Sequence, residues 1–98
     1  MTMEAVYLVC YDIADPKRLR KVHRATEDRG PRLQLSVYQC ELSGMQLAAF
    51  QADLADIIHS AEDQVLFVRL GPRSSLTYGK IESLGRPYEP PEHRSYVV

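Results

Sequence analysis

The stretch AVYLVCYD at residues 5–12, with Asp15 and Pro16 shortly after it, decides the fold of this chain. Up to its last residue it is apolar at both alternating positions, which predicts a strand buried on both faces of a sheet. Asp15 is a favoured helix N-cap, and Pro16 suits the first helical position because its missing N–H would be unpaired there anyway. The sequence therefore predicts a strand that ends in the carboxylate of Asp12 and leads into a helix.

The first helix is predicted to extend to about Arg29, because Gly30 followed by Pro31 stops a helix. Three apolar residues and one threonine at helical spacing predict its inward face. These residues are Leu19, Val22, Ala25 and Thr26.

Positive charge is concentrated around this helix, since seven of the twelve lysines and arginines lie within residues 17–32. They are Lys17, Arg18, Arg20, Lys21, Arg24, Arg29 and Arg32. For Arg18, Lys21 and Arg29 a solvated helix face is the better explanation, whereas Arg32 follows the helix stop at the start of a strand and is less easily explained in this way. The net charge is only -1, so it is the distribution of charge, and not its total, that suggests a nucleic-acid partner.

The middle of the chain predicts three or four further elements. Residues 32–42 alternate between polar and apolar and predict either one long strand or two short strands with a break near Ser36. Residues 43–46 form a capping box that opens a second helix, and residues 65–70 predict another strand that is apolar on both faces. With a split second strand the order is βαββαβ, the ferredoxin-like arrangement of an α+β domain.

Domain limits follow from length and from proline and charge content. Residues 1–84 are predicted to form one ferredoxin-like domain, and residues 85–98 a proline-rich C-terminal tail. An extra C-terminal strand is expected at residues 78–84 or at residues 95–98.

Two helices can cover only one face of such a sheet, yet the first and last main strands are predicted to be buried on both faces. A second copy of the chain is the simplest cover, so we predict a two-fold homodimer packed through its sheets. An axis near the end of the first strand would bring two Asp12 carboxylates together, and paired carboxylates commonly help to hold Mg²⁺. Such an ion can activate water for attack on a phosphodiester. The alternative is that Asp12 only caps a turn or starts the helix.

Membrane and secretory classes are not expected. Residues 1–4 carry no basic segment of a signal peptide, and no apolar run approaches the roughly 20 residues of a membrane span. Cys10 and Cys40 lie inside predicted strands and match no metal-binding spacing. We interpret both as small buried residues of a cytoplasmic protein in a reducing compartment.

Aromatic and histidine residues give weaker signals. Tyr11 and Tyr38 could stack on a base, although packing in a core or an interface explains them at least as well. The three histidines are scattered along the chain and are not expected to be catalytic. They are His23, His59 and His93.

Three segments together resemble one known family: Tyr11-Asp12-Ile13, residues 15–22 (DPKRLRKV) and residues 30–38 (GPRLQLSVY). The chain is similar, over about residues 5–70 and thus most of its globular part, to the small CRISPR-associated endoribonuclease family. This family is the smaller of the two proteins shared by most CRISPR spacer-acquisition machineries. The strand-end Tyr-Asp-Ile and the later Arg-x-Gln-x-Ser-Val-aromatic pattern are specific when they occur together.

The resemblance implies a ferredoxin-like homodimer in which the two Asp12 residues meet at the interface and bind Mg²⁺ or Mn²⁺. Carried over by position, the residues linked to activity or substrate contact are Tyr11, Lys21, Arg32 and Tyr38. One basic family position falls on Leu19 here, and we include the neighbouring Arg18 among the substrate-binding residues. Members also extend a C-terminal strand onto the partner protomer, which residues 78–84 or residues 95–98 could supply.

Two functions from different classes follow. The first is a Mg²⁺-dependent endonuclease on RNA or double-stranded DNA, with Asp12 as catalytic residue and metal ligand, acting in complex with the spacer integrase. The alternative is a non-catalytic DNA-binding adaptor that scaffolds the integrase. A plain RNA-binding module would expose aromatic residues on a bare sheet, and a small-molecule regulatory domain would need a ligand pocket, so both are less favoured.

Overall fold

A computed structural model describes residues 4–73 and 81–88 of the chain. Its elements, in chain order, are β1 (Ala5–Asp12), α1 (Pro16–Glu27), β2 (Arg32–Gln34), β3 (Val37–Leu42), α2 (Gly44–Ala55) and β4 (Gln64–Pro72). The alternating segment that the sequence left open is therefore two short strands separated at Leu35 and Ser36. Helix α1 ends at Glu27, slightly before the predicted end near Arg29.

The C-terminal predictions fall mostly outside the described part of the chain. Of the strand expected at residues 78–84, only residues 81–84 are described, and they are not in a strand. Residues 95–98 and most of the predicted tail lie outside the described residues.

Both helices begin where the sequence predicts. The carboxylate of Asp15 accepts a hydrogen bond from the backbone N–H of Arg18 at 3.0 Å, and this bond is the main reason that the pKa of Asp15 is lowered. At the start of α2, the Ser43 hydroxyl accepts from the N–H of Gln46, and the Gln46 side chain accepts from the N–H of Ser43. These bonds satisfy N–H groups that would otherwise be unpaired, so each helix start is fixed relative to the strand before it.

The sheet has the strand order β2-β3-β1-β4, and every neighbouring pair is antiparallel. Val9 in β1 lies opposite Tyr38 in β3, and Asp12 at the end of β1 lies opposite Gln64 at the start of β4. The described residues thus form a small α+β domain with a four-stranded antiparallel sheet and two helices. None of its helices is long and apolar enough, within the described ranges, to cross a membrane.

Gly30 explains how β2 reaches β3 after the end of α1. A Cβ atom at Gly30 would collide with the carbonyl oxygen of Gln39, so only glycine permits this close approach of two backbones. The N–H of Gln39 donates to the carbonyl oxygen of Pro31 at 3.0 Å. The Gly-Pro pair that stops the helix therefore also places the next strand on the sheet.

One face of the sheet packs against the two helices and forms the core. Fully buried members come from both layers: Val9, Tyr38 and Cys40 from the sheet, and Val22 and Phe50 from the helices. Burial raises the pKa of the Cys40 thiol to about 12, which suits the predicted role of a small buried residue. Cys10 is only half-buried, so for this residue the prediction of burial is met in part.

The opposite face of the sheet is covered by neither helix. Leu66, Val68 and Leu70 alternate along β4 and are 49 %, 45 % and 44 % exposed. Leu8 and Cys10 of β1 lie directly opposite Val68 and Leu66 and are half-buried. We call the surface formed by these five residues the open face. Its apolar character agrees with the prediction that the first and last strands are apolar on both sides.

The inward face of α1 is confirmed for Val22 and Thr26, which are fully buried. The prediction is wrong for Leu19, which is 38 % exposed. Leu19 lies at the edge of the buried stripe and lines a cleft next to the turn between β2 and β3.

Candidate functional site

Asp12 is the last residue of β1 and is exposed. Because side chains alternate along a strand, Asp12 points to the same side of the sheet as Leu8 and Cys10, at the rim of the open face. Within the described part of the chain its carboxylate makes no hydrogen bond and no ion pair. A charged group without protein partners at the end of a buried strand is free to bind a cation or a polar ligand.

The ligand set that one chain offers to a metal is small. Among residues 4–73 and 81–88, no three of the His, Cys, Asp and Glu side chains come together as a metal-ligand group. Mg²⁺ prefers six oxygen ligands but keeps several waters, and one or two protein carboxylates are often sufficient. The carboxylate of Asp12 therefore fits Mg²⁺ or Mn²⁺ as one protein ligand per chain, with water, phosphate or a second chain supplying the others.

Tyr11 and Tyr38 lie side by side beneath α1, with ring centroids 6.0 Å apart and planes inclined by 24°. Their hydroxyls converge on one atom, His23 Nδ1, at 3.1 Å from Tyr11 and 2.7 Å from Tyr38. The other ring nitrogen of His23 lies 3.2 Å from the carboxylate of Glu27, one turn further along α1. The four side chains thus form a continuous hydrogen-bonded cluster between the helix and the two central strands.

Burial is the main cause that raises the pKa of both phenols. For Tyr11 the hydrogen bond with Tyr38 adds to this effect and brings the pKa far above its usual value. Both hydroxyls therefore stay protonated at neutral pH, so neither phenol acts as a general base. The sequence-based reading did not assign His23 to the site. Its placement four residues before Glu27 and beside the buried Val22 is the local signal that could have indicated it.

Arg18, predicted to bind substrate, is held by two carboxylates of the same chain. Its guanidinium donates to Asp63 through Nε at 2.7 Å and through Nη2 at 3.2 Å, and Nη2 also donates to Glu62 at 3.0 Å. A bidentate pair of this kind fixes the side chain. The substrate-binding role of Arg18 stays a prediction that would require the guanidinium to leave or share these partners.

Asp63 connects the loop after β1 to the segment before β4. Its side chain is fully buried, and besides Arg18 it accepts hydrogen bonds from the backbone N–H of Ala14 at 2.9 Å and of His59 at 2.8 Å. The pKa of Asp63 is held far below its usual range, and the hydrogen bond from Arg18 is the largest cause. The two backbone N–H groups lower this pKa further. The loop that follows Asp12 is therefore anchored at Ala14.

The other cations of the cluster are divided between structural and open positions. Arg29 donates to Asp53 at 2.7 Å and its guanidinium carbon lies 4.6 Å from the centre of the Phe50 ring, so it joins α1 to α2. Lys17, Arg20, Lys21 and Arg24 follow one another at positions i, i+3, i+4 and i+7 and share the exposed side of α1. We call these four residues the basic stripe. None of them pairs with a carboxylate of the described chain.

Arg32 begins β2 directly opposite Tyr38. Its positive charge and a hydrogen bond to the phenol both lower the pKa of Tyr38, although burial dominates and the net shift is upward. The structure thus brings Arg32, Tyr38 and Tyr11 together on one side of the sheet. Asp12, next to Tyr11 in sequence, points to the other side.

Comparison with known proteins identifies the family. The family model described as CRISPR associated protein Cas2 matches residues 4–77. The chain is 39 % identical over 95 residues to the CRISPR-associated endoribonuclease Cas2 1 of Rhodospirillum rubrum, covering 97 % of this chain and 92 % of that protein. It is 34 % identical over 96 residues to the CRISPR-associated endoribonuclease Cas2 of Geobacter sulfurreducens, covering 98 % of this chain and all of that protein.

A solved structure gives the same answer at the level of the fold. The crystal structure of Streptococcus pyogenes Cas2 at pH 6.5 superposes with a TM-score of 0.71 at 32 % identity, covering 82 % of this chain and 99 % of that one. The chain belongs to the Cas2 family. The family resemblance recognised in the sequence is therefore confirmed.

Proposed function

We propose that this protein is a metal-dependent endonuclease of CRISPR spacer acquisition, which cuts phosphodiester bonds in RNA or double-stranded DNA as a homodimer in complex with the spacer integrase. The observation that carries the proposal is the carboxylate of Asp12 at the end of β1, which is exposed and has no partner among residues 4–73 and 81–88. Relatives over nearly the full length are named endoribonucleases, which supports the same class of reaction here. Its two free cysteines suit the reducing cytoplasm that we propose as its location.

The proposed dimer is a pair of ferredoxin-like domains packed through their open faces. The βαββαβ element order and the antiparallel order β2-β3-β1-β4 support the ferredoxin-like assignment. Leu66, Val68 and Leu70 would be removed from water by the second copy, and burial of apolar surface favours association. Because Asp12 lies at the rim of the same face, this packing would bring the two Asp12 carboxylates towards one another.

The acidic and basic residues of the site would have different roles. Asp12 would hold Mg²⁺ or Mn²⁺, which when bound supplies polarisation of a phosphoryl oxygen and an activated water. Lys21 and Arg32 would bind backbone phosphates and so position the strand without reading its sequence. Tyr11 and Tyr38, kept protonated by burial, would hold the core beneath these cations in place.

A cleavage assay tests this proposal with a matched pair of carboxylate variants. Asp12→Ala is compared with Asp56→Ala, since Asp56 is also exposed but lies at the end of α2. Labelled single-stranded RNA and double-stranded DNA are incubated with each protein in Mg²⁺, in Mn²⁺ and in EDTA. We expect cleavage that requires the metal, falls by about 100-fold or more in Asp12→Ala, and is unchanged in Asp56→Ala. Cleavage that survives EDTA or Asp12→Ala would contradict the proposal.

The non-catalytic adaptor is the second candidate function, and the basic stripe favours it. Four cations without carboxylate partners in the described chain suit the binding of a duplex for a partner integrase. A spacer-acquisition assay separates the two functions. The adaptor predicts that Asp12→Ala acquires spacers as the wild type does, whereas the double variant Lys17→Ala/Lys21→Ala does not.

A further inference from the structure

A cleft of about 440 Å³ lies between α1 and the turn that joins β2 to β3, on the side of the sheet away from Asp12. Leu19 of the helix and Leu35 of the turn both line it, and they are 38 % and 78 % exposed. A single exposed leucine is ordinary, but two on the walls of one cleft make an apolar surface that can bind a flat, weakly hydrated group. We call this feature the α1 cleft.

Polar groups complete the lining of the α1 cleft. Tyr11, His23 and Glu27 contribute to it and are already joined by hydrogen bonds, so this part of the wall is preorganised. Ser36 also lines the cleft, and its hydroxyl makes no hydrogen bond with the described residues. That hydroxyl can donate to or accept from a ligand.

Positive charge marks one rim of the α1 cleft. Arg20 and Arg24 line it and also belong to the basic stripe. Glu27, the acidic residue of the lining, also contacts His23 and offsets part of the charge of the two guanidinium groups, so that the lining keeps a net positive charge. The cleft therefore offers an apolar wall, a free hydroxyl and an anion-binding rim next to one another.

From these features we propose that the α1 cleft binds one unpaired nucleotide of a single-stranded nucleic acid. The base lies against Leu19 and Leu35, and the neighbouring phosphates lie on Arg20 and Arg24. A volume near 440 Å³ falls within the roughly 300–1,000 Å³ of small-ligand sites and suits one nucleotide, not a stacked base pair. Continuation of the basic stripe through Lys17 and Lys21 favours a polymer over a free nucleotide, because these cations extend beyond the cleft along α1.

This inference rests on the proposed action on nucleic acid and specifies the substrate further. A duplex hides the faces of its bases in the stack, so it could use the basic stripe but not the apolar wall. Strands with an unpaired nucleotide would use both. The preferred substrate would then be single-stranded or would carry an unpaired segment.

The test separates the contribution of the base from that of the phosphates. Fluorescence anisotropy measures binding of a short single strand and of an abasic strand of the same length, as RNA and as DNA, in EDTA so that nothing is cut. The variant Leu35→Ser is compared with Met45→Ser, because Met45 is also 78 % exposed and lies on α2, outside the cleft. Both positions are exposed, so neither variant is expected to unfold, and thermal unfolding verifies this.

We expect the wild-type protein and Met45→Ser to bind the strand with bases about fivefold more tightly than the abasic strand. Leu35→Ser should lose most of this ratio and keep its affinity for the abasic strand, because the phosphate contacts are intact. Arg24→Ala should weaken both strands equally. The proposal is overturned if the wild type does not distinguish the two strands, or if Leu35→Ser and Met45→Ser give the same ratio.

Failure of this inference and failure of the proposed nuclease activity give different results. Asp12→Ala should bind both strands as the wild type does, because Asp12 lies on the other side of the sheet. Base-dependent binding without cleavage would leave the α1 cleft in place and contradict the nuclease. Metal-dependent cleavage without base-dependent binding would contradict the α1 cleft alone.

Discussion

Two carboxylates at the same end of the sheet have opposite surroundings. Asp12 ends β1, and its strand partner Gln64 directly follows Asp63 in sequence. The Asp63 side chain is fully buried and accepts hydrogen bonds from two backbone N–H groups and from Nε and Nη2 of Arg18. Asp12 is exposed and has no partner in the described chain. The same side chain is thus part of the scaffold in one position and available to a ligand in the other.

The comparison shows how the scaffold presents the open carboxylate. Asp63 binds the N–H of Ala14, in the loop that leaves β1 after Asp12. Through Arg18 it also binds the first turn of α1. A carboxylate whose acceptor positions are filled has little capacity left for a metal ion, whereas its neighbour keeps all of its capacity. Asp63, whose acceptor positions are filled, therefore fixes the loop that directly follows Asp12.

The largest expected effect comes from separating the two protomers of the proposed dimer, so that Asp12 of one protomer no longer lies near Asp12 of the other. Val68→Glu places a charge on the open face, and a two-fold dimer would bury this charge twice without a partner. We expect a monomer by light scattering, with dimerisation weakened about 100-fold or more, and a loss of cleavage comparable to that of Asp12→Ala.

Met45→Glu is the control for this prediction, since Met45 is more exposed than Val68 but lies on α2. It should remain a dimer with full cleavage. A Val68→Glu protein that stays dimeric would show that the two chains associate elsewhere.

The second effect, on stability, distinguishes the two carboxylates directly. Asp63→Ala leaves two backbone N–H groups and part of the Arg18 guanidinium without acceptors, and unsatisfied buried donors are costly. Asp12→Ala removes no contact of the described chain. We expect the Tm of Asp63→Ala to fall at least about 5 °C further than that of Asp12→Ala. Equal Tm values for the two variants, measured by circular dichroism, would contradict the scaffold role of Asp63.

Local patterns were sufficient to predict the position of Asp12 at the end of β1. The strand that ends in Asp12, the caps at Asp15 and Ser43, and the apolar open face all depend on neighbours in sequence or on a period of two residues. Each of these is visible in a short window. They defined the order of elements and placed the candidate ligand.

Contacts between distant segments could not be predicted in the same way. Arg18 and Asp63 are 45 positions apart, and nothing in either local stretch shows that they meet. His23 reaches Tyr38 only because α1 packs over β3. Leu19 is exposed because the face of α1 that packs on the core is narrower than the spacing of the apolar residues in α1 indicates. Such placements depend on how helices lie on the sheet, which the spacing of residues does not specify.

The third effect is the pH dependence of the scaffold carboxylate. The pKa of Asp63 is lowered from its usual 3.8, so the ionised form is stabilised by folding. Its contribution to stability is fully present above about pH 5 and is lost as the pH falls through and below 3.8. Asp63→Asn lacks this titration. The difference in Tm between the wild type and Asp63→Asn should therefore be constant from pH 7 to 5 and shrink from about pH 4 to 2. A constant difference down to pH 2 would contradict this assignment.

The smallest expected effect extends the comparison from carboxylates to cations. Lys21, on the basic stripe, has no carboxylate partner in the described chain, whereas Arg18, one turn earlier, is bound to Asp63 and Glu62. Lys21→Ala should weaken binding of any strand by about threefold at low salt, reduce the slope of log affinity against log salt by about 1, and leave the Tm unchanged. Arg18→Ala should instead lower the Tm as Asp63→Ala does, since it removes the same pair from the other side.

Arg86→Ala is the control for the loss of a positive charge, because Arg86 is exposed and lies outside α1. It should change neither the salt slope nor the Tm. If Arg18→Ala weakened binding with a reduced slope and kept its Tm, the guanidinium would be a phosphate contact that exchanges Asp63 for nucleic acid. The division into saturated and open charges would then hold for Asp12 and Asp63 but not for the cations of α1. If Lys21→Ala alone reduces the slope, the same distinction applies to carboxylates and to cations. A charged side chain that is paired within the described chain then stabilises the structure, and one without a partner there is available to bind the ligand.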